Sequence, residues 1–179
     1  MTLTRPSGAF WATVHHTIDN FTMSGYGPVR DSQSTTSTAW GTQYRAFYVP
    51  VRVPAPCIVR EMAYFSGSTS AGNIDIGIYD ATGTRLVSSG STAKASSRLV
   101  TVEVTDTTIG PGLYYLALNN DTTTDTFARW NYAAPEAAAY GVLTETLGAV
   151  TLPATATWAV NQTATFVPFI SALLVTEIS

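Results

Sequence analysis

The stretch Gly72-Asn-Ile-Asp-Ile-Gly-Ile-Tyr-Asp-Ala-Thr-Gly-Thr-Arg-Leu-Val87 decides the fold class of this chain. In its first half Ile74, Ile76 and Ile78 alternate with polar residues or glycine, which is the period of a half-buried β-strand. Residues 80–83 supply turn-forming side chains, and the extended pattern then resumes. The stretch therefore predicts a β-hairpin closed by a short loop that contains glycine.

Short extended segments separated by turn signals continue along most of the chain. Further strands are predicted at residues 44–53, 57–65, 99–105, 113–118, 127–132 and 166–178. Residues 113–118 are apolar on both faces, which favours a central strand, whereas Pro50 indicates an edge position or a bulge. Eight or more such strands predict an all-β fold, an antiparallel jelly-roll-like β-sandwich.

The connections between these strands are predicted from composition. Residues 66–72 have the Gly/Ser-rich composition of a flexible loop, and residues 88–97 form a polar loop. Pro135 early and Gly141 late fit one short helical turn over residues 134–141. Residues 142–165 are expected to be a long, apolar, Thr-rich connection.

The first 43 residues differ in composition from the rest of the chain. Phe10 to Ile18 has the pattern of one strand, and it is followed by glycines and by the polar tract from Asp31 to Thr38. Segments of such low apolar density do not bury enough surface to order themselves. The sequence therefore predicts two parts, an extended N-terminal docking or assembly arm at 1–43 and a β-sandwich domain at 44–179.

Charge is scarce in this chain. Charged residues make up 12% of the sequence, far below the usual quarter, and the net charge is −3. Because interface cores lack charge, one interpretation is a surface that lies partly against other subunits. The other is a secreted or virion protein with a neutral, Thr-rich solvent face. Lys94 is the only lysine and the arginines are scattered, so nucleic-acid binding is not expected.

Cysteine usage and the start of the chain bear on its compartment. Cys57 is the only cysteine, so no disulfide within the chain is expected, and its apolar neighbours predict a buried, inert thiol. Residues 1–6 contain no apolar signal core, and no apolar run is long enough to span a membrane. We therefore expect synthesis in a cytoplasm, and exit, if it occurs, by a route such as cell lysis.

Nucleophile and base patterns give no catalytic prediction. Ser91 and Lys94 match S-x-x-K by spacing, but they lie in a predicted polar loop and no second lysine exists to complete that chemistry. His15 and His16 are the only histidines, and adjacent residues on a strand point to opposite faces. The expectation is a protein that is not an enzyme.

Two binding sites remain as hypotheses. Asn119, Asp121 and Asp125 lie in one polar loop and offer the hard oxygen ligands that Ca²⁺ prefers, although turns use the same residue types. Trp130 and Tyr132 fall on the same face of their strand with Arg129 beside them, and such rings serve sugar-binding surfaces as well as cores. Calcium and a glycan are the corresponding candidate ligands, and no other cofactor is expected.

Four stretches of the middle of the chain resemble β-sandwich modules of tailed-bacteriophage structural proteins. They are Phe47-Tyr-Val-Pro-Val-Arg-Val-Pro54, Cys57-Ile-Val-Arg-Glu-Met62, Gly72-Asn-Ile-Asp-Ile-Gly-Ile-Tyr-Asp80 and Pro111-Gly-Leu-Tyr-Tyr-Leu-Ala117. The resemblance spans residues 44–132, about half of the chain. It implies a jelly-roll-like sandwich, often trimeric, of the kind found in tail fibres, minor tail proteins, head fibres and capsid decorations.

The function expected from these features is structural. The chain would be a non-enzymatic virion protein on the surface of a tailed phage particle, made in the host cytoplasm and assembling as a homotrimer or other homo-oligomer with other virion proteins. The arm and residues 142–165 would make the subunit contacts. The alternative is a glycan-binding or receptor-binding module, either of a tail fibre that binds host-surface glycans or of a cellular protein.

Overall fold

The computed structural model describes residues 9–13, 36–96, 99–131, 134–160, 163 and 165–175. In chain order the elements are β1 (Ala9–Thr13), β2 (Thr36–Ala39), β3 (Arg45–Val53), β4 (Cys57–Phe65), β5 (Asn73–Asp80), β6 (Arg85–Ser88), β7 (Thr92–Ala93), β8 (Leu99–Ile109), β9 (Gly112–Asn120), β10 (Thr126–Asn131), α1 (Ala134–Ala139), β11 (Leu143–Thr146), β12 (Ala159–Val160), β13 (Phe166–Pro168) and β14 (Ile170–Val175). The chain is all-β, as predicted, and every strand pairing in its sheets is antiparallel.

The strands form three sheets. One has the order β1-β14-β4-β8, a second has the order β13-β10-β2, and the largest runs β12-β11-β3-β9-β5-β6, with β7 also paired to β5. Consecutive strands repeatedly change sheet, since β3 and β5 lie in the largest sheet while β4 between them lies in the four-stranded one. No helix in the described part of the chain has the length and apolar character needed to cross a membrane.

The hairpin predicted at residues 72–87 is present, with β5 paired to β6. The isoleucines of β5 are buried on the core side, and β9 lies between β3 and β5, which confirms the central strand. Gly77 shows why glycine is used on the opposite face: a Cβ there would lie 2.4 Å from the Val87 carbonyl oxygen. The close approach of β6 to β5 therefore depends on the missing side chain.

One apolar core joins the sheets. Side chains of the four-stranded sheet, such as Met62 and Leu174, belong to the same buried cluster as Phe47 and Leu118 of the largest sheet. Trp40 is 1% exposed and contacts Phe47, Phe127 and Phe166 at ring-centroid distances of 5.2, 4.6 and 5.7 Å. Burial of this aromatic group closes the end of the core where the three sheets meet.

The arm boundary predicted at residue 43 does not match the packing. β2 pairs with β10, and Trp40 lies in the core, so residues 36–43 belong structurally to the domain. β1 extends the four-stranded sheet by pairing with β14. The strand predicted from Phe10 to Ile18 is therefore present over 9–13, while its remainder and most of the polar tract lie outside the described residues.

Two other predictions of secondary structure were wrong. The single strand expected at 166–178 is two strands, β13 and β14, in different sheets, with Phe169 between them; residues 176–179 lie outside the described part. Residues 142–165, expected to be one long, apolar, Thr-rich connection, contain β11 and β12. At 166–178 the apolar pattern alone did not reveal that its two parts join different sheets.

Pro50 lies in an interior strand, because β3 runs between β11 and β9. Pro50 pairs with Tyr115 of β9 without a register shift, so the edge position or bulge predicted from the proline is not found. The β11 ladder on the other side of β3 covers residues 45–48 and ends before Pro50. Gly141, at φ +75°, ends the helical turn predicted at 134–141 beside this proline.

Candidate functional site

The Gly/Ser-rich loop 66–72, predicted to be flexible, is held by buried polar groups. Asp125 is fully buried, and its carboxylate accepts hydrogen bonds from the Ala71 and Gly72 backbone N–H groups at 2.7 and 3.3 Å. The Thr69 N–H donates to Thr126 Oγ1 at 2.9 Å. The loop composition is flexible, but the side chains of the 119–126 segment fix its path, so that prediction was wrong.

Lys94 holds the same loop from the other side. Its side chain is buried, and Nζ donates to Ser66 Oγ at 2.6 Å and to the Thr69 carbonyl at 2.8 Å. The ammonium also lies 4.7 Å from the centroid of the Phe127 ring, a cation–π distance. The predicted polar loop therefore contains a buried ammonium group. The S-x-x-K spacing did not predict that Lys94 would be buried.

We call Ser66, Lys94 and Asp125 the loop clamp. Burial lowers the pKa of the Lys94 ammonium, and the Asp125 carboxylate partly offsets this by raising it. Ser66 Oγ donates to the Ala95 carbonyl at 2.5 Å, so its proton is already engaged. The hydroxyl and the ammonium are both oriented toward loop carbonyls, and this arrangement serves to fix the loop rather than to activate a nucleophile.

The three candidate calcium ligands do not converge on one point. The Asn119 side-chain amide donates to the carbonyls of Ala149 and Val150 at 2.9 and 2.7 Å, on the outer face of the largest sheet. Asp121 accepts from the Asn73 backbone and side chain at 2.8 and 3.0 Å. Among the described residues, no group of three or more His, Cys, Asp or Glu side chains has the spacing of a metal site. The Asp121 and Asp125 oxygens instead accept hydrogen bonds from residues 71–73.

A covering segment crosses the outer face of the largest sheet. Residues 147–158, which we call the strap, leave β11 and reach the β5–β6 turn, where the Ala156 N–H donates to the Gly83 carbonyl at 2.9 Å. They return to β11, where Glu145 accepts from the Thr157 N–H at 3.2 Å and from its hydroxyl at 2.5 Å. The apolar character of this part of 142–165 is therefore used within its own domain.

Buried polar groups under the strap hold its middle. Asp75 is fully buried and accepts from the Leu152 N–H at 2.8 Å, and Tyr79 OH donates to the Pro153 carbonyl at 2.6 Å. The Arg85 guanidinium donates to the Leu152 carbonyl. Burial raises the pKa of Asp75, and bonds from Leu152 and Ser89 oppose that shift. The carboxylate thus accepts one strap N–H, that of Leu152.

Aromatic rings complete the contact between strap and sheet. Trp158 lies over Tyr115, Tyr48 and Tyr79 with ring centroids at 4.6, 5.1 and 6.1 Å. Tyr48 OH donates to Glu145 Oε2 at 3.0 Å, and burial raises the pKa values of Tyr48 and Tyr79. These rings and the buried Leu152 belong to a second apolar cluster that sequence periodicity did not reveal.

Of the proposed glycan residues, the structure locates Arg129 fully. Its Nη1 donates to the Ala39 carbonyl at 2.9 Å, and its Cζ lies 3.9 Å from the centroid of the Phe166 ring. The backbone of Trp130 pairs with Val167, while its side chain and all of Tyr132 lie outside the described residues. Arg129 therefore joins β2, β10 and β13, and burial lowers its pKa.

The exposed face of the four-stranded sheet carries a shallow groove and two exposed apolar side chains. A shallow groove of about 430 Å³ is lined by Arg60, Glu61, Glu103, Val104 and Asp106. Glu61 and Glu103 are directly opposite in register, an arrangement of like charges that destabilises a strand pair. Arg60 Nε lies 3.3 Å from the Asp106 carboxylate, and both side chains are exposed. Phe65 and Leu99, 45% and 53% exposed, pair at one end of this face.

The reactive side chains that remain are those of Cys57 and the two histidines. Cys57 is buried as predicted, and burial raises the pKa of its thiol. His15 and His16 lie outside the described residues. The most developed polar features are therefore the loop clamp and the anchors of the strap, and both fix segments of the chain itself.

No protein-family profile matches the chain, and no curated protein shows significant similarity to it.

Proposed function

We propose that this chain is a non-enzymatic structural protein on the surface of a tailed phage particle, a fibre, spike or capsid decoration that assembles through subunit contacts. The proposal rests on the hydrogen bonds that the buried ionisable side chains make to other segments of the chain. Asp75, Lys94 and Asp125 are all engaged in hydrogen bonds that fasten loops to the sheets. Such groups act as internal fasteners of a rigid scaffold.

The placement of the resembling stretches supports the same proposal. They coincide with β3, β4, β5 and the first two-thirds of β9, four strands that build the core. Their glycines and tyrosines have scaffold roles, as at Gly77 against β6 and Tyr79 against the strap. A resemblance confined to scaffold residues fits a module whose function is its shape and surface.

We take the finer fold to be a jelly-roll-like sandwich. Support comes from strands that change sheet at successive steps and from the pairing of β1, near the start of the chain, with β14, near its end. Connections that cross between facing sheets are typical of Greek-key and jelly-roll folds. The shared core of the largest and the four-stranded sheets agrees with this arrangement.

The surface chemistry favours assembly. The chain has nine Lys and Arg residues, and at least two of them, Lys94 and Arg129, are turned inward to bind carbonyl groups. A surface poor in lysine loses less side-chain entropy and less hydration when it is covered by a neighbour. This composition suits a subunit whose faces lie against other proteins.

The proposal is tested with the purified chain. Light scattering coupled to size-exclusion chromatography is expected to give a homo-oligomer, and the oligomer is expected to co-sediment with tailed phage particles from its source that lack the protein. A monomer at micromolar concentration that stays in the supernatant would contradict the proposal. A bovine serum albumin sample of equal concentration controls for trapping in the pellet.

A further inference from the structure

The edge of β14 has to be covered. β14 reads Ile-Ser-Ala-Leu-Leu-Val with no charged residue and no proline, and β4 pairs with only one of its sides. An open strand of this composition presents unpaired N–H and C=O groups beside apolar side chains, the pattern that drives edge-to-edge association. In the structure β1 occupies this edge, in register from Ala9–Val175 to Thr13–Ser171.

The strand that covers this edge is tethered at a distance. Twenty-two residues, 14–35, separate β1 from β2, and β2 lies in a different sheet. A segment of that length can span roughly 70 Å when extended. The radius of gyration expected for a domain of this size is about 16 Å. The tether therefore allows β1 to reach the β14 edge of an adjacent copy as well as its own.

Exchange between copies would conserve the interactions. The same five-residue ladder forms whether β1 and β14 come from one chain or from two, so the difference is the entropy of association. Neither β1 nor β14 carries a charge that would repel a second copy. On a particle surface, where copies are held close together, the entropic cost falls further.

We propose that β1 is an exchangeable strand, which in the assembled protein pairs with β14 of a second copy of this chain. The inference rests on the proposed structural function, because only an assembled protein needs such a link. It names the partner, a second copy, and the docking site, the edge of β14 that β1 covers. Each copy then both donates and receives one strand, so a closed ring or a pair satisfies every edge.

Cysteine cross-linking distinguishes the two pairings. One chain carries Ala9→Cys, a second chain of different tag length carries Val175→Cys, and the two are co-expressed and treated with a short bismaleimide. Exchange predicts a covalent dimer of mixed tag length on a denaturing gel, formed in the mixture and not by either variant alone. Wild type, whose Cys57 is buried, controls for that thiol.

A second pair calibrates the result. Phe65 and Leu99 face each other within one domain and are both exposed, so Phe65→Cys and Leu99→Cys on separate chains should give no mixed dimer. If Ala9→Cys and Val175→Cys link only when both are on one chain, β1 stays on its own sheet and the exchange is excluded. If they link in neither arrangement, the β1–β14 pairing itself is wrong.

The outcome is separable from the proposed function. A homo-oligomer that binds particles but gives no mixed dimer would overturn the exchange and leave the structural function standing. A mixed dimer formed by a protein that binds no particle would support the exchange and overturn the structural function.

Discussion

At Gly77 the backbone of β6 passes so close to β5 that a methyl group has no room. The hypothetical Cβ lies 2.4 Å from a backbone oxygen and 3.0 Å from Ser88 Cβ, and neither atom belongs to a flexible chain end. At Asp125 a single carboxylate satisfies two backbone N–H groups of loop 66–72. In a chain with few charges, such single residues decide whether adjacent segments fit.

Replacing Gly77 by alanine is expected to lower the free energy of unfolding by about 3 kcal/mol, since the added methyl group must push β6 away from β5. Urea denaturation followed by tryptophan fluorescence measures the change. Gly148→Ala is the matched control, because a Cβ at Gly148 meets no atom within 4 Å, and its effect should stay within about 1 kcal/mol. Equal effects of the two variants would contradict the predicted clash.

Replacing Asp125 by asparagine should cost about 2–3 kcal/mol, because hydrogen bonds to a charged acceptor are lost and one buried N–H faces an amide NH₂ group. Hydrogen exchange at residues 66–72 should accelerate as the loop loosens. Asp121→Asn, in the same segment but partly exposed, is expected to cost roughly 1 kcal/mol or less. If loop exchange in Asp125→Asn matched wild type, the loop clamp would not hold the loop.

Lys94 gives the loop clamp a pH dependence. Because burial lowers its pKa, the folded chain releases this proton at lower pH than the unfolded chain does. Between the two pKa values the unfolded state binds more protons, so the free energy of unfolding rises with pH. The stability of wild type minus that of Lys94→Met should therefore increase as the pH rises toward the pKa of an unfolded lysine, about 10.4. Tyr48 and Tyr79 titrate in both proteins and cancel, and a difference that is flat or falls with pH would contradict this.

At the scale of elements, local alternation predicted what pairs locally. The β5–β6 hairpin was evident from a period-two pattern and turn residues, and the central β9 was evident because its residues are apolar on both faces. The strap was not, because its position depends on Asn119 and Asp75, side chains far from it in sequence that bind its backbone. Such hydrogen bonds cannot be predicted from the sequence pattern of residues 147–158 alone.

The candidate site illustrates the same limit. Acidic and amide residues at 119–125 suggested a calcium loop, since ligand oxygens and turn-forming oxygens are the same residue types. Which role they have depends on the donors opposite them, and these are backbone N–H groups of residues 71–73. Lys94 carried one usable signal, that it is the only lysine in the chain.

The strap makes its own prediction. Leu152 is 1% exposed in the second apolar cluster, so Leu152→Ala should cost about 2–4 kcal/mol and increase the rate of proteolysis within residues 147–158. Val160→Ala, at a side chain 52% exposed just beyond the strap, is the matched control and should change stability by about 0.5 kcal/mol or less. Thermolysin cleavage followed by mass spectrometry locates the cuts. A strap as resistant in Leu152→Ala as in wild type would mean that its contacts with the sheet do not hold it.

At the scale of the whole molecule, the contacts that fix loops within the domain differ from the strand pairing at the edges of the four-stranded sheet. The loop clamp and the strap fix loops within one domain, while the β14 edge is covered by β1, which lies 22 residues before β2 in the chain. The partly protected edge of β8 differs, since a register shift opposite Val59 and Glu61 and the charges of Glu103 and Asp106 discourage pairing there. The β8 edge is thus protected against pairing with another strand, whereas the β14 edge is suited to a subunit contact.

Quantitative mass spectrometry of native particles decides whether the chain is a structural component of a tailed virion. Particles are purified from the source by density gradient, and the copy number of this chain is measured against the major capsid protein. We expect the chain to co-purify with intact particles at a fixed, whole-number stoichiometry that survives a high-salt wash. Confinement of the chain to particle-free fractions, or a ratio that varies between preparations, would exclude a structural role in the virion.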